Sequence, residues 1–309
     1  MAIVEAHGLT KKFGEFTAVS GLSLEVSEGE VFGFLGPNGA GKTTTIRMLA
    51  GTIAPTSGYA VVAGLRPDQE PENLHQYIGL LTENPGFYNR LSARFNLGFF
   101  AGFYTGFDTD HQVEKYLRMM GLWERREDRV GTFSKGMKQR LALVRALIHQ
   151  PRVLFLDEPT AGLDPEAAHE VRDMIQELSS EGQTVFLSTH NLVEAELLCH
   201  RIGVVRTELL ALDTPENLRR SLFQRQVVVQ LENPTTALVN TIASLPFVQK
   251  IEQAGNHFRL QLTDPEIYRP DLVKNIVEAG GRVMSVSEER HSLEEIYLSL
   301  VREEEDDGQ

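Results

Sequence analysis

Eight residues, Gly36-Pro37-Asn38-Gly39-Ala40-Gly41-Lys42-Thr43, follow the spacing G-x-x-x-x-G-K-[ST]. Glycines at these intervals let backbone N–H groups converge on phosphate oxygens, and a helix starting there adds its positive end. Lys42 is expected to reach the outer phosphates of a nucleotide, and the Thr43 hydroxyl to hold Mg²⁺. A second group with chemical potential is the carboxylate pair Asp157 and Glu158 in "VLFLDEP". Beside a phosphate loop, Asp157 can reach Mg²⁺ through its water shell, and Glu158 can polarise a water attacking the γ-phosphate. Taken alone, the pair also fits an ordinary acidic turn. A third candidate is His190, closing "TVFLSTH", either a structural histidine or a hydrogen-bonding partner of the γ-phosphate or its attacking water.

The fourth group is less usual. "FSKGMKQRL", residues 133 to 141, opens a helix with a hydroxyl (Ser134), a bare backbone position (Gly136) and positive charge from Lys135, Lys138 and Arg140. The helix dipole favours acids at that end, so a basic start suits a bound anion.

Three apolar runs must position these groups. Val31 to Leu35 precedes the phosphate loop, "PRVLFLDE" leads to the carboxylates, and "TVFLST" leads to His190. Continuous apolar runs of this length read as buried parallel strands. Ligands of such sheets bind at the carboxyl ends of the strands, where all three groups lie.

Composition sets limits around this centre. The 309 residues are 41% hydrophobic and 24% charged, enough for two domains in an α/β arrangement. No apolar run approaches the roughly 18 residues of a membrane span, and "MAIVEAHGLTKKF" lacks a signal-peptide layout. A single cysteine, Cys199, fits a buried thiol in a reducing compartment. The net charge of −13 argues against nucleic acid as a partner. A cytoplasmic address is expected.

Assembled in order, these segments resemble the nucleotide-binding subunit of ATP-binding-cassette (ABC) transporters. "GPNGAGKTT", through Thr44, is similar to the Walker A motif, "VLFLDE" to Walker B, "AGLD" with Asp164 to the D-loop, His190 to the switch histidine, and "FSKGMKQRL" to the signature motif. The resemblance covers residues 3 to about 220. It implies a P-loop NTPase fold with a helical subdomain over about 84–150. It implies ATP and Mg²⁺ as cofactors, with ATP sandwiched between the two chains of a homodimer. Ser134 and Gly136 would then bind the partner's ATP. It further implies docking to an integral-membrane permease on the inner face of the membrane. Phe13 matches the aromatic that stacks on adenine, although a core ring is the alternative.

The chain departs from the family pattern in three ways. The signature carries Phe133, Lys135 and Met137 where leucine, glycine and glutamine are usual. Glu83, in "YIGLLTENPG", stands where a Mg²⁺-contacting glutamine is expected. Both features resemble exporters whose ATPase and permease are separate chains. The alternatives are a soluble cassette acting on DNA or the ribosome, which lacks support from heptads or a second phosphate loop, and an importer ATPase. Thirdly, residues 225–300 follow the cassette as strand, helix, strand, strand, helix, strand, helix, which suggests a small ferredoxin-like α+β domain ending in "SLEEIYLSL". The last helix but one is expected to start at Pro270. A regulatory or dimer-stabilising role is expected there, His257 and His291 being structural, with residues 301–309 an acidic tail. The aromatic-rich stretch "NRLSARFNLGFFAGFYTGF" is expected to bury most of its rings in the helical subdomain. A few of Phe87, Tyr88, Phe99, Phe100 and Phe103 would remain for a permease groove.

Overall fold

The structure is a computed structural model, and it describes residues 1–82, 86–222 and 226–288. Glu83, His291, the "SLEEIYLSL" segment and the acidic tail lie outside the described residues. The chain divides into two compact units, Met1–Pro215 and Glu216–Gln309.

The first unit holds a six-stranded sheet in the order β5-β6-β7-β3-β8-β9. Its strands are β3 (Val31–Leu35), β5 (Ile78–Leu81), β6 (Val153–Asp157), β7 (Thr184–Thr189), β8 (Arg201–Arg206) and β9 (Glu208–Asp213). All neighbours run parallel except β8 and β9. Every residue of β3, β6 and β7 is buried, as strands covered on both faces require. Phe186 on β7 packs against Phe32 and Phe34 of β3 and Phe155 of β6, with ring centroids 5.3, 5.5 and 5.6 Å away. One aromatic cluster thus fixes the three strands that carry the chemistry. An antiparallel sheet of β1 (Ala2–Phe13), β2 (Phe16–Ser27) and β4 (Ser57–Val62) contributes to the same core.

Helices α1 (Lys42–Leu49), α2 (Pro71–Leu74), α3 (Ala93–Ala101), α4 (Thr109–Met119), α5 (Lys135–Leu147), α6 (Pro165–Ser180) and α7 (Leu192–Leu198) complete the unit. Cys199 ends α7 with its thiol buried, and a Cβ on Gly33 would come within 2.6 Å of its Sγ. Burial pushes this thiol's pKa up, so it stays uncharged and packs as a small apolar group.

The expectation for the aromatic stretch is overturned. Helix α3 buries Ala93, Asn96, Leu97 and Ala101, while Phe95, Phe99, Phe103 and Tyr88 are exposed and Phe87 and Phe100 only half-buried. The side of α3 that meets α4 and α5 carries small and aliphatic side chains, and Asn96 there bonds Tyr88 N, Tyr88 O and Ser92 O. Phe95 and Phe99, four residues apart, share the opposite stripe of α3, and Phe103 follows just past its end. Phe99 meets Tyr88 and Phe103 edge-on, with centroids 5.3 and 5.4 Å apart.

The helix α8 (Pro215–Leu222) spans the boundary between the units, and the second unit builds a four-stranded antiparallel sheet. Its elements are β10 (Gln226–Glu232), α9 (Thr236–Ala243), β11 (Val248–Ala254), β12 (His257–Leu262), α10 (Pro265–Glu278) and β13 (Arg282–Glu288). The strand order β11-β12-β10-β13 is ferredoxin-like. Alternate residues Val227, Val229 and Leu231, with Phe258, Leu260 and Leu262, face Leu238, Ile242, Leu272 and Ile276 from the two helices. α10 starts at Pro265, five residues earlier than expected, because Asp264 caps it by accepting from Glu266 N and Ile267 N. Pro270 lies inside the helix, at the cost of one hydrogen bond to Glu266 O.

Candidate functional site

The phosphate loop is threaded between two strands, and its glycines are required by proximity as well as by conformation. A Cβ on Gly36 would lie 2.3 Å from Val205 O, and one on Gly41 would lie 2.4 Å from Ala18 O. Gly41 is also left-handed, with φ 92°. Gly36 N donates to Thr189 O, Ala40 N to Pro37 O, and Thr207 N to Ala40 O, which anchors the loop on both sides. Asn38, Gly39 and Thr43 are exposed, Pro37 and Thr44 half-buried, and Ala40 and Gly41 buried. The helix α1 that follows has no side-chain cap and no acid in its first turn.

Lys42 is buried, and its Nζ donates to Gly36 O at 2.8 Å and Pro37 O at 3.1 Å. The same ammonium forms an ion pair with Glu158 Oε1 at 3.1 Å. Glu158 sits just past β6 with φ 51°, a left-handed conformation uncommon for a side chain of this kind. That geometry is held by its own N–H, which donates to Ser188 O and Ser188 Oγ. The other carboxylate oxygen, Oε2, lies 2.8 Å from His190 Nδ1. Asp157 is buried at the end of β6, where Ser188 Oγ donates to its Oδ1 at 2.6 Å. Because β6, β7 and β3 are neighbours, one edge of the sheet brings Lys42, Asp157, Glu158 and His190 together.

The remaining candidates lie apart from that cluster. Phe13, at the β1–β2 hairpin, is 52% exposed, with Lys11 Nζ 5.2 Å from its ring centroid, so it is not a core ring. Ser134 caps α5 by accepting from Met137 N at 3.2 Å, and Asp164 caps α6 by accepting from Ala167 N at 2.9 Å. Gly136 is buried, and a Cβ there would meet Ala167 Cβ at 2.8 Å. Among the described residues, no hydrogen bond joins Ser134 or Asp164 to the phosphate loop, Glu158 or His190.

Several polar residues that hold the site escape a reading of the sequence alone. Ser188 binds both Asp157 and the Glu158 backbone. Gln139 Nε2 on α5 donates to Pro159 O at 2.7 Å, tying α5 to the segment after Glu158. Thr189 and Glu194 share a 2.6 Å hydrogen bond. The hydroxyl pair directly before His190 was the available signal for two of these.

Oxygen donors of this kind suit a hard cation such as Mg²⁺, which takes one or two carboxylates plus phosphates instead of a full protein cage. The arrangement fits: Thr43 is exposed at the helix start and Ser188 orients one oxygen of Asp157, while no cluster of three or more His, Cys, Asp or Glu exists among the described residues.

Comparison with known proteins agrees with this geometry. Residues 19–161 match the family model "ABC transporter", and residues 214–301 match "ATP-binding protein DrrA1-3-like, C-terminal domain". The chain is 35% identical to the bacitracin transport ATP-binding protein BcrA of Bacillus licheniformis, over 97% of each chain. It is 31% identical to the linearmycin resistance ATP-binding protein LnrL of Bacillus subtilis, over 96% of this chain and 98% of that one. An ATP-binding subunit of an ABC transporter superposes with a TM-score of 0.65 at 29% identity, over 71% of this chain and 92% of that one. A dimeric cassette bound to ADP and Pi shares the fold, with a TM-score of 0.62 at 24% identity, over 68% of this chain and 98% of that one. A phosphate loop, a strand-end carboxylate pair and a histidine on one sheet edge, in a chain matched along nearly its whole length, make this protein an ATP-hydrolysing member of the ABC transporter ATP-binding family.

Proposed function

We propose that this chain energises export of a drug or antibiotic through a separate membrane permease, working as a homodimer on the cytoplasmic face of the membrane. The observation that carries the chemistry is Glu158, held between Lys42 and His190 at the end of β6.

In this reading the exposed ring of Phe13 stacks on adenine, a contact of about 1–3 kcal/mol. The backbone amides of Asn38, Gly39, Gly41, Lys42, Thr43 and Thr44 wrap the phosphates, with Gly36, Pro37 and Ala40 shaping the loop around them. Lys42 turns from Glu158 to the β- and γ-phosphates and offsets the charge that builds on them. Glu158 then accepts a proton from water as the water oxygen bonds to the γ-phosphorus and the bond to the bridging oxygen breaks. His190, with Nδ1 on Glu158, has Nε2 left to orient the γ-phosphate. Thr43, Asp157 and Glu83 would hold Mg²⁺, which neutralises phosphate charge. Ser134 and Gly136 would meet the ATP of the partner chain, with Asp164 at the same interface.

Support for the transport role comes from the relatives, whose names assign bacitracin transport and linearmycin resistance along almost the whole chain. No described helix is long and apolar enough to cross a membrane; the relatives are named as ATP-binding proteins, which supports a permease on another chain. A groove of about 690 Å³ whose lining includes Ile78, Leu80, Phe100, Phe103, Tyr104 and Ala146 suits an apolar segment of that partner.

The decisive variants are Glu158→Gln and Lys42→Ala. The first is expected to bind ATP normally and to hydrolyse it about 10²–10⁴-fold more slowly, the usual worth of a positioned base. The second is expected to weaken binding itself. Wild-type hydrolysis by Glu158→Gln would remove Glu158 from the role of base.

A further inference from the structure

We infer that Glu194 is a positioning residue of the ATPase reaction, latching through Thr189 the stretch of backbone that holds His190 against Glu158. The inference rests on the proposed role of His190.

Glu194 is a carboxylic acid with only 1% of its surface exposed. Its Oε2 accepts from Thr189 Oγ1 at 2.6 Å, Thr189 Oγ1 accepts from Asn191 N at 2.9 Å, and Asn191 Oδ1 accepts from Glu194 N at 3.2 Å. These three bonds close a ring, and the residue between Thr189 and Asn191 is His190. Both of its neighbours are therefore pinned, while its own side chain reaches outward to Glu158 Oε2. The carbonyl of Thr189 accepts from Gly36 N, so the ring is joined to the first residue of the phosphate loop.

Helix capping alone does not account for such a group. Asp108 and Asp164 cap α4 and α6 from exposed positions with a single side chain each. Asn191 already caps α7 in the same way. Adding a buried carboxylate is costly unless its hydrogen bonds are needed. Here Oε1 is enclosed and closes no hydrogen bond, although the Thr160 hydroxyl approaches the carboxyl group. Burial raises the Glu194 pKa, the Thr189 and Thr160 hydroxyls offset part of that, and the charge on Glu158 adds to the rise. The latch is thus close enough to Glu158 to feel its charge, and Thr160 lies in the turn that follows Glu158. A buried acid that Thr189 and Thr160 both approach, shielded from solvent, fits a part that sets geometry.

The test measures ATP turnover and binding of a fluorescent ATP analogue in the full chain. Thr189→Val keeps shape and burial but removes the hydroxyl. It is expected to lower kcat about tenfold, the worth of one charge-assisted hydrogen bond, with nucleotide Kd changed by less than about threefold. Thr189→Ser restores the hydroxyl, and Glu194→Gln keeps an acceptor oxygen, so both are expected within about threefold of wild type. In a His190→Ala background, adding Thr189→Val is expected to cause no further loss, because the latch acts through the histidine. Wild-type kcat in Thr189→Val, or an equal loss in both backgrounds, would overturn the latch while leaving the ATPase assignment intact. Wild-type turnover by His190→Ala alone would instead remove the proposed role of His190, and this inference with it.

Discussion

The helices α1 and α5 both begin where the sequence places an anion-binding start, yet their first turns are in opposite conditions. At α1 the cap residue is Gly41, no side chain accepts from the first amides, and the nearby cation Lys42 is folded into the loop. At α5 the Ser134 hydroxyl already accepts from Met137 N, and Gly136 is buried against Ala167. α6 and α7 are closed in the same way, by Asp164 and Asn191. An uncapped start leaves donors for a ligand, whereas a capped one has satisfied part of its own need. The difference teaches that α1 leaves its first amides open, whereas α5 satisfies one of its own through Ser134; in the proposed function the further contact of α5 comes from the partner chain's ATP.

Substitutions at the two starts should therefore differ in size and in kind. The largest effect is expected at Gly41→Ala. A left-handed φ costs an L-residue about 1–2 kcal/mol, and the new Cβ would lie 2.4 Å from Ala18 O, for a total above about 3 kcal/mol. Thermal melting should fall by roughly 6–12 °C, at about 2–4 °C per kcal/mol for a unit of this size. Nucleotide affinity should fall with it, because the loop has to move. An unchanged melt would show that the loop has room the structure does not display.

Gly136→Ala should have a smaller effect with a different origin. The backbone there is helical, so alanine gains about 1 kcal/mol of helix propensity, while overpacking against Ala167 costs about 1–3 kcal/mol. A net loss of about 1 kcal/mol is expected, seen as a small drop in melting temperature with monomer nucleotide affinity unaltered. The double variant with Ala167→Gly should recover the loss. Failure of that rescue would assign Gly136 to something other than close packing of α5 on α6.

How much of this was legible beforehand follows from what each feature depends on. The strands "VFGFL", "VLFLD" and "TVFLST" are visible because full burial demands unbroken apolar runs, and the loop motif is visible because its glycines are needed whatever surrounds them. The ferredoxin-like order also follows from a simple alternation of elements, and the strand pairing agrees with it. Phe95 and Phe99 misled, since ring size suggests burial while their four-residue spacing puts them on one stripe opposite the packed side of α3, with Phe103 exposed just past its end. The start of α10 was misplaced because two prolines, Pro265 and Pro270, each suit a first turn, and only the Asp264 cap separates them. The hydroxyls before His190 marked a place but not their partners: Asp157 reaches Ser188 only through strand pairing, and Thr160 approaches Glu194 only once α7 has docked. Gly136 had a packing reason that no local pattern reveals.

The single-chain effect at Ser134 is as small as that at Gly136, and it gives the sharpest test of the comparison. Ser134→Ala removes only a cap and should cost about 1 kcal/mol, or roughly 2–4 °C in the melt. ATP binding by the isolated chain should be unchanged, since Lys42, Thr43 and Phe13 are untouched. The consequence for two chains is expected to be much larger. In a Glu158→Gln background, where slow hydrolysis lets an ATP-bound dimer accumulate, Ser134→Arg places a bulky side chain at the start of α5. The ATP-dependent dimer peak in size-exclusion chromatography should disappear while monomer affinity stays the same. If the double variant dimerises on ATP as readily as Glu158→Gln alone, the start of α5 has no ligand beyond its own amide, and Ser134 is a helix cap only. If monomer affinity falls as well, the two starts serve one nucleotide within one chain, and the contrast between them fails.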